Sequence, residues 1–422
     1  MTKRALLNRR TTLAGLAATQ GVALGLSRAA AADEKPIKIG MAIAQTGGIA
    51  AGGKSSLLGM EIWRDDVNAK GGLLGRKVEL VVYDDKSSAT ETPTIYAKLI
   101  DIDKVDILFG PYGTVPTAPI MPMVKQRGML LMGNFAYEAN QSVKHDMWFN
   151  IAPWGPPDAL ARGFIELGVK QGTKTIAVLA ADQEFAQSLS KIGKAVAAEH
   201  KLSLVYDQSY PPTTVEFTSM VRAVKAARPD MVFVCSYPPD SVGILRAVNE
   251  VGVGPGVMLF GGGMVGPQYG AIMQQLGSQL NGLVNYATLV PEKTQEFNGT
   301  REFLDRYAKR AIEAKVDPLG FYLAPFGYAL GEIVANAVTT TKGLDQKKLA
   351  SYMRETEHST VVGKFRFGSA GEWKDSGIVQ VQYRGLVDKN IEQFRQPGKQ
   401  VILSPVRLKS GELIAPFEKA RG

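Results

Sequence analysis

Cysteine is almost missing from this chain: Cys235 is the single one in 422 residues. A disulfide framework is therefore excluded, and a chain of this size must rely on a large apolar core. Cys235 sits in the apolar run MVFVCSY, where a small buried thiol is the simplest reading. Histidine is scarce as well. His145, His200 and His358 lie far apart, with no H-x-x-x-H or H-E spacing, so no zinc site is signalled. No G-x-S-x-G elbow occurs, and nothing singles out a Ser/His/Asp centre. No run of five Lys or Arg occurs, which argues against a nucleic-acid partner.

Acids are absent from the first 32 residues, which carry Lys3, Arg4, Arg9, Arg10 and Arg28. A mildly apolar run, TTLAGLAATQGVALGLS (11–27), is followed by RAAAADE, with small residues at signal-peptidase spacing. Residues 1–32 are expected to be a signal peptide cut near Ala31 or Ala32, with Arg9-Arg10 pointing to twin-arginine export. The run is short and holds Thr and Gln, so a permanent span is not expected. Losing those five positive charges takes the formal net charge from +9 to +4. The whole chain is 45% hydrophobic and 21% charged, the balance expected of a soluble globular protein, and its length suggests about two domains. The setting expected is the bacterial periplasm.

From residue 36 the pattern alternates. Short apolar strands end in Gly or Ser, and amphipathic segments follow. IKIGMAIA (37–44), KVELVVYDD (77–85), VDILFG (105–110) and GMLLMGN (128–134) form one series. KTIAVLAAD (174–182), LSLVYDQ (202–208), DMVFVCSY (230–237) and GVMLFGG (256–262) form another. Helices are expected after most of these strands, and again over 299–314 and 322–341. Alternation of this kind implies parallel sheets covered on both faces, with right-handed crossovers. Two doubly wound α/β lobes are expected: 36–154 with 285–358, and 155–284 with 359–422. Three crossings would join them as a hinge, and GIVQVQYR (377–384) and QVILSPVRL (400–408) read as tail strands.

Several motifs imitate other functions. GGIAAGGKSS (47–56), read from Gly48, fits the phosphate-cradling pattern G-x-x-x-x-G-K-[ST]. Thr46-Gly47-Gly48 already ends the strand, however, so Gly53-Lys54 falls inside or just before a helix, and the glycines are expected to serve another ligand. GGGMVG (261–266) has dinucleotide-loop spacing, but no Asp or Glu occurs between Pro267 and Pro291 to hold a ribose. The pairs Asp65-Asp66 and Asp84-Asp85 are adjacent in sequence and do not share a face. No catalytic residue, metal or cofactor is expected.

The segment from Ile37 to Ile100 carries Thr46-Gly47, Asn68-Ala-Lys-Gly-Gly72, Gly75 and Asp84-Asp85, and VDILFGPYGTVPTAPIMPMVKQRGMLLM continues it. In this set the chain resembles the periplasmic solute-binding proteins of ABC importers, of the leucine/isoleucine/valine-binding type. The likeness covers essentially everything after residue 35 and is densest over 36–135. It implies a type I periplasmic binding protein: two hinged lobes that trap a solute, close, and present it to permease subunits in the inner membrane. A monomer without enzymatic activity is implied.

The resemblance also implies site residues at strand ends. Gly113 and Thr114 start a helix whose free N–H groups and hydroxyl would hold a ligand carboxylate, although Thr114 also reads as a plain helix cap. Ala136 and Tyr137 match the next loop, and Phe185 and Tyr237 match aromatics from the second lobe. With Tyr112 and Phe135 they would line an aromatic cleft. Where family members that bind amino acids place an acid for the ammonium, this chain is expected to have Gly263, unless Asp182, Glu184 or Asp240 substitutes. A buried ammonium without a counter-charge is costly. Amino acids are the family default, and an aromatic or phenylpropanoid carboxylate is the alternative these residues favour. A ligand-sensing regulator of the same fold is a further alternative.

Overall fold

The computed structural model describes residues 35–421, so the expected signal peptide and its cleavage site lie outside the described residues. The chain alternates β1 (Ile37–Ala42), α1 (Ala50–Ala69), β2 (Val78–Tyr83), α2 (Thr92–Asp101), β3 (Ile107–Tyr112), α3 (Thr114–Thr117), α4 (Met121–Gln126), β4 (Leu131–Asn134) and β5 (Trp148–Asn150). These five strands form one parallel sheet in the order β2-β1-β3-β4-β5. β1 and β3 are apolar runs buried on both faces, as a covered parallel sheet requires.

The second series runs α5 (Ala159–Lys170), β6 (Thr175–Ala181), α6 (Glu184–Glu199), β7 (Ser203–Tyr210), α7 (Thr218–Ala227), β8 (Met231–Ser236), α8 (Pro238–Val251), β9 (Leu259–Met264), α9 (Gly270–Leu276) and β10 (Val284–Ala287). After it come α10 (Thr300–Ala314), α11 (Ala324–Thr341), α12 (Gln346–Glu355), the hairpin β11 (His358–Thr360) and β12 (Gly363–Phe365), and finally β13 (Val379–Tyr383) and β14 (Gln400–Ser404). The second sheet has the order β14-β13-β10-β9-β8-β6-β7, with β13 antiparallel to both neighbours.

α10 and α11 return to the first sheet's side and pack on α1. Small residues permit the approach: a Cβ on Gly59 would lie 2.1 Å from the Ala324 carbonyl, and one on Gly327 would lie 2.2 Å from the Ser56 carbonyl. Trp63, on the same face of α1, is buried with them.

The strand pairing moves the expected lobe boundaries. β10 is hydrogen-bonded between β9 and β13, so residues 285–287 stay with the second sheet rather than opening the return. The β11–β12 hairpin stays with the first: its residue Val361 donates its N–H to Glu332 of α11 at 3.0 Å. The third crossing therefore follows residue 365 instead of 358. It runs beside the first: Asn150 N–H donates to Gly371 O at 2.8 Å and Gly377 N–H to Pro153 O at 3.0 Å. α12, which the periodicity did not signal, is capped by Asp345, whose side chain accepts from Lys348 N–H at 2.9 Å.

No described helix is long and apolar enough to cross a membrane. Cys235 is fully buried in β8, and burial pushes its thiol well above the usual range.

Candidate functional site

The walls of the gap come from chain ends that the two sheets aim at each other. β3 stops at Tyr112, and Gly113, at φ 93°, turns the chain so that α3 begins with Thr114. β8 delivers Tyr237 as the cap before the Pro238-Pro239 opening of α8. Gln183 caps α6, which places Phe185 in its first turn. β10 delivers Tyr286, and Tyr322 precedes α11. With Ile49, Val115, Pro116, Phe135 and Val265 these residues enclose about 400 Å³ of unfilled space, partly open to solvent.

The lining is aromatic. Phe135, held at φ 60°, packs edge-on against Trp154 at 5.4 Å and Tyr322 at 5.3 Å between ring centres. Phe185 meets Tyr137 at 5.6 Å and Tyr237 at 6.0 Å in the same way. The hydroxyls of Tyr112 and Tyr269 lie 2.7 Å apart, a bond between the two sheets' sides, and Tyr112 donates to Tyr322 at 3.3 Å. Burial first, then neighbouring phenols, pushes Tyr112 well above the usual range, and burial pushes Tyr322 up to about 12. The phenols stay protonated and donate. Two hydroxyls remain short of partners. Tyr237 faces the Phe185 backbone and Tyr286 faces Tyr322, yet neither closes a hydrogen bond.

No charged side chain lines this cavity. An adjoining chamber shares Ile49, Val115 and Tyr237 with it and contains Asp240. The Asp240 carboxylate accepts from the Tyr210 hydroxyl at 2.6 Å, and burial holds its pKa above the usual value. Asp182 and Glu184 are exposed.

Of the nine residues expected at the site, Tyr112, Gly113, Thr114, Phe135, Phe185 and Tyr237 line the cavity. Ala136, Tyr137 and Gly263 do not. Tyr137 stands behind the wall, its hydroxyl donating to Pro157 O. Gly263 lies within β9, and a Cβ there would meet Leu189 at 2.7 Å and Val234 O at 2.9 Å, so it faces the core. The Thr114 hydroxyl, expected to reach a ligand, is engaged with the Tyr137 backbone: it accepts from the N–H at 2.9 Å and donates to the carbonyl at 3.3 Å. Of the glycines of GGIAAGGKSS, Gly48 lines the adjoining chamber, while Gly52 and Gly53 serve packing. Gly52 and Gly53 lie inside α1, and a Cβ on Gly53 would sit 2.0 Å from Ala44 O. Tyr286, Tyr322, Val265 and Ile49 were not anticipated. The aromatic in GFYLAP, immediately before a helix, was the available signal for Tyr322.

Two hinged α/β units with an aromatic gap between their strand ends are the architecture of a solute-binding protein. The sequence matches the periplasmic binding protein family over residues 36–383, and the chain belongs to that family. It is 27% identical over 349 residues to Leu/Ile/Val-binding protein homolog 7 of Brucella abortus (strain 2308), covering 76% of this chain and 81% of the relative. It is also similar to a solute-binding protein of an R. palustris ABC transporter solved in complex with benzoate. There the TM-score is 0.70 at 17% identity, over 87% of this chain and 95% of that one. A third similar protein is the branched-chain amino acid transporter substrate binding protein of Streptococcus pneumoniae, solved with isoleucine. Its TM-score is 0.70 at 19% identity, over 88% of this chain and 100% of that one. The fold is the type I periplasmic binding protein fold, and the chain is an ABC-type solute-binding protein of the Leu/Ile/Val-binding family.

Proposed function

We propose that this protein captures a small carboxylate with a flat or apolar body in the periplasm and hands it, unchanged, to permease subunits of an ABC importer. It acts as a monomer and without catalysis. The observation that carries this reading is a gap walled by six aromatic side chains and no charged one. Flat rings fill such a space edge to face, and an ammonium inside it would lack a counter-charge. The benzoate complex of a structurally similar protein supports the same ligand class.

A second reading keeps the family default, an α-amino acid. Asp240 favours it, because its chamber opens beside Tyr237 and its carboxylate lines that chamber. A thermal-shift screen separates the two readings, with benzoate, cinnamate and aliphatic carboxylates set against L-isoleucine and L-phenylalanine. A ligand at 100 times its Kd adds about 2.7 kcal/mol to stability. Stabilisation by the aromatic acids alone supports the first reading; stabilisation by the amino acids alone replaces it with the second.

A further inference from the structure

Four tyrosine hydroxyls meet at one end of the gap. Tyr112 and Tyr322 come from the side of the first sheet, Tyr269 and Tyr286 from that of the second. All four side chains are at least nine-tenths buried, and Tyr286 is fully buried. Tyr112 donates to Tyr322, so the 2.7 Å contact between Tyr112 and Tyr269 is completed by the Tyr269 proton. The chain of donation runs Tyr269 to Tyr112 to Tyr322 and stops there. Each phenol carries one proton; the Tyr322 hydroxyl accepts from Tyr112, and the Tyr286 hydroxyl closes no hydrogen bond by distance and angle. The two hydroxyls face each other and both residues line the gap.

The buried acid Asp317 lies by Tyr269, and its two oxygens accept from Gly270 N–H at 2.8 Å and Leu319 N–H at 2.9 Å. A buried hydroxyl without a protein partner calls for a water or a ligand group to complete its bonding, and Tyr286 stands where the gap admits one. Two adjacent donors match two oxygens. Of the other hydroxyls lining the gap, that of Thr114 is engaged with Tyr137 and that of Tyr237 is also without a partner.

We infer that the Tyr286 and Tyr322 hydroxyls form the seat for the ligand's carboxylate, one donor from each side of the gap; this rests on the proposed reading of the protein as a binder of small carboxylates. A carboxylate held there accepts one hydrogen bond from each side and so ties the two halves together. Neutral phenols, not a cation, carry the recognition. A carboxylate accepts both protons in charge-assisted bonds, whereas a carboxamide offers one neutral oxygen and turns one hydroxyl round to accept from its NH2, so the seat favours the carboxylate.

The test uses Tyr286→Phe and Tyr322→Phe, which keep the ring and its packing. Affinities of wild type and both variants are measured by calorimetry for benzoate, cinnamate and L-isoleucine, and for the carboxamide of whichever probe binds best. The expected result is a loss of at least about 10-fold in carboxylate affinity for each variant. The preference for carboxylate over carboxamide should shrink alongside, while the melting temperature without ligand stays near wild type. Carboxylate affinity within about 2-fold of wild type in both variants overturns the seat and leaves the proposed function standing. If wild type binds none of the three probes, the proposed function falls and the seat with it. Should one variant fail to fold, the other decides.

Discussion

Gly52→Ala reports on whether the observed contact between the two sides is the ligand-bound one. Gly52 is the third residue of α1 and is buried. A Cβ there would lie 2.6 Å from Tyr112 Cε1, 2.6 Å from Leu323 Cδ1 and 2.7 Å from the Tyr269 hydroxyl. All three approaches are too close, and overpacking of this kind costs about 1–3 kcal/mol. Alanine also gains up to about 1 kcal/mol of helix propensity over glycine. That gain, and the Tyr112 and Leu323 contacts, belong to the first lobe whether the gap is open or shut. The Tyr269 contact exists only when the second side is close. If about 1.4 kcal/mol of the clash falls on that contact, ligand affinity drops about 10-fold. Calorimetry with the best probe measures the affinity, and thermal unfolding without ligand measures the fold. The expected pair is weakened binding with little change in the unliganded melting temperature. Unchanged binding would mean that the Tyr112–Tyr269 bond is no part of the liganded state.

The neighbouring Gly53→Ala should behave differently. Its Cβ would strike backbone, the Ala44 carbonyl at 2.0 Å, so α1 must shift off the end of β1. Unfolding free energy should fall by about 1–3 kcal/mol or more in urea titrations without ligand, and an unchanged midpoint would refute the packing role. Thr114→Ala removes the acceptor of the buried Tyr137 N–H and should cost about 1–3 kcal/mol in the same titration, whether or not ligand is present. Asp85 is fully buried, one carboxylate oxygen lacks a partner, and burial lifts its pKa to about 6. In the unfolded chain an Asp titrates near 3.9, so between about pH 4 and 6 the folded state binds the extra proton. The stability linked to this group is present below about pH 4 and lost as pH rises through about 6. Asp85→Asn should therefore stabilise the protein at pH 7.5, by an amount that shrinks toward pH 5; a difference independent of pH contradicts the assignment.

The lobes were legible because parallel strands buried on both faces must be apolar runs, and Met41, Phe109, Val178 and Phe233 all sit in such runs. Thr114, Phe185 and Tyr237 were named through the resemblance, and each lies at or next to the start of a helix that follows a strand, in the lining of the gap. Tyr286 was not, since it alternates within β10 like any core aromatic and only the pairing of β10 with β9 and β13 aims it inward. Gly263 was misplaced because β9 continues through Gly261, Gly262 and Gly263 to Met264, whereas three glycines in a row read as a loop. The P-loop likeness dissolved on geometry: α1 starts at Ala50, so Gly53 and Lys54 are already helical. The crossings moved by several residues because the β11–β12 hairpin carries no alternation long enough to separate it from the tail.

The most direct test of the account is a crystal structure of the complex with the probe that stabilises the protein most. Density for the probe between Phe185, Tyr237 and Phe135, with its carboxylate oxygens on Tyr286 and Tyr322, is the result predicted. A probe bound outside this gap, for instance in the cavity lined by Glu292, Arg301 and Arg395, would contradict it.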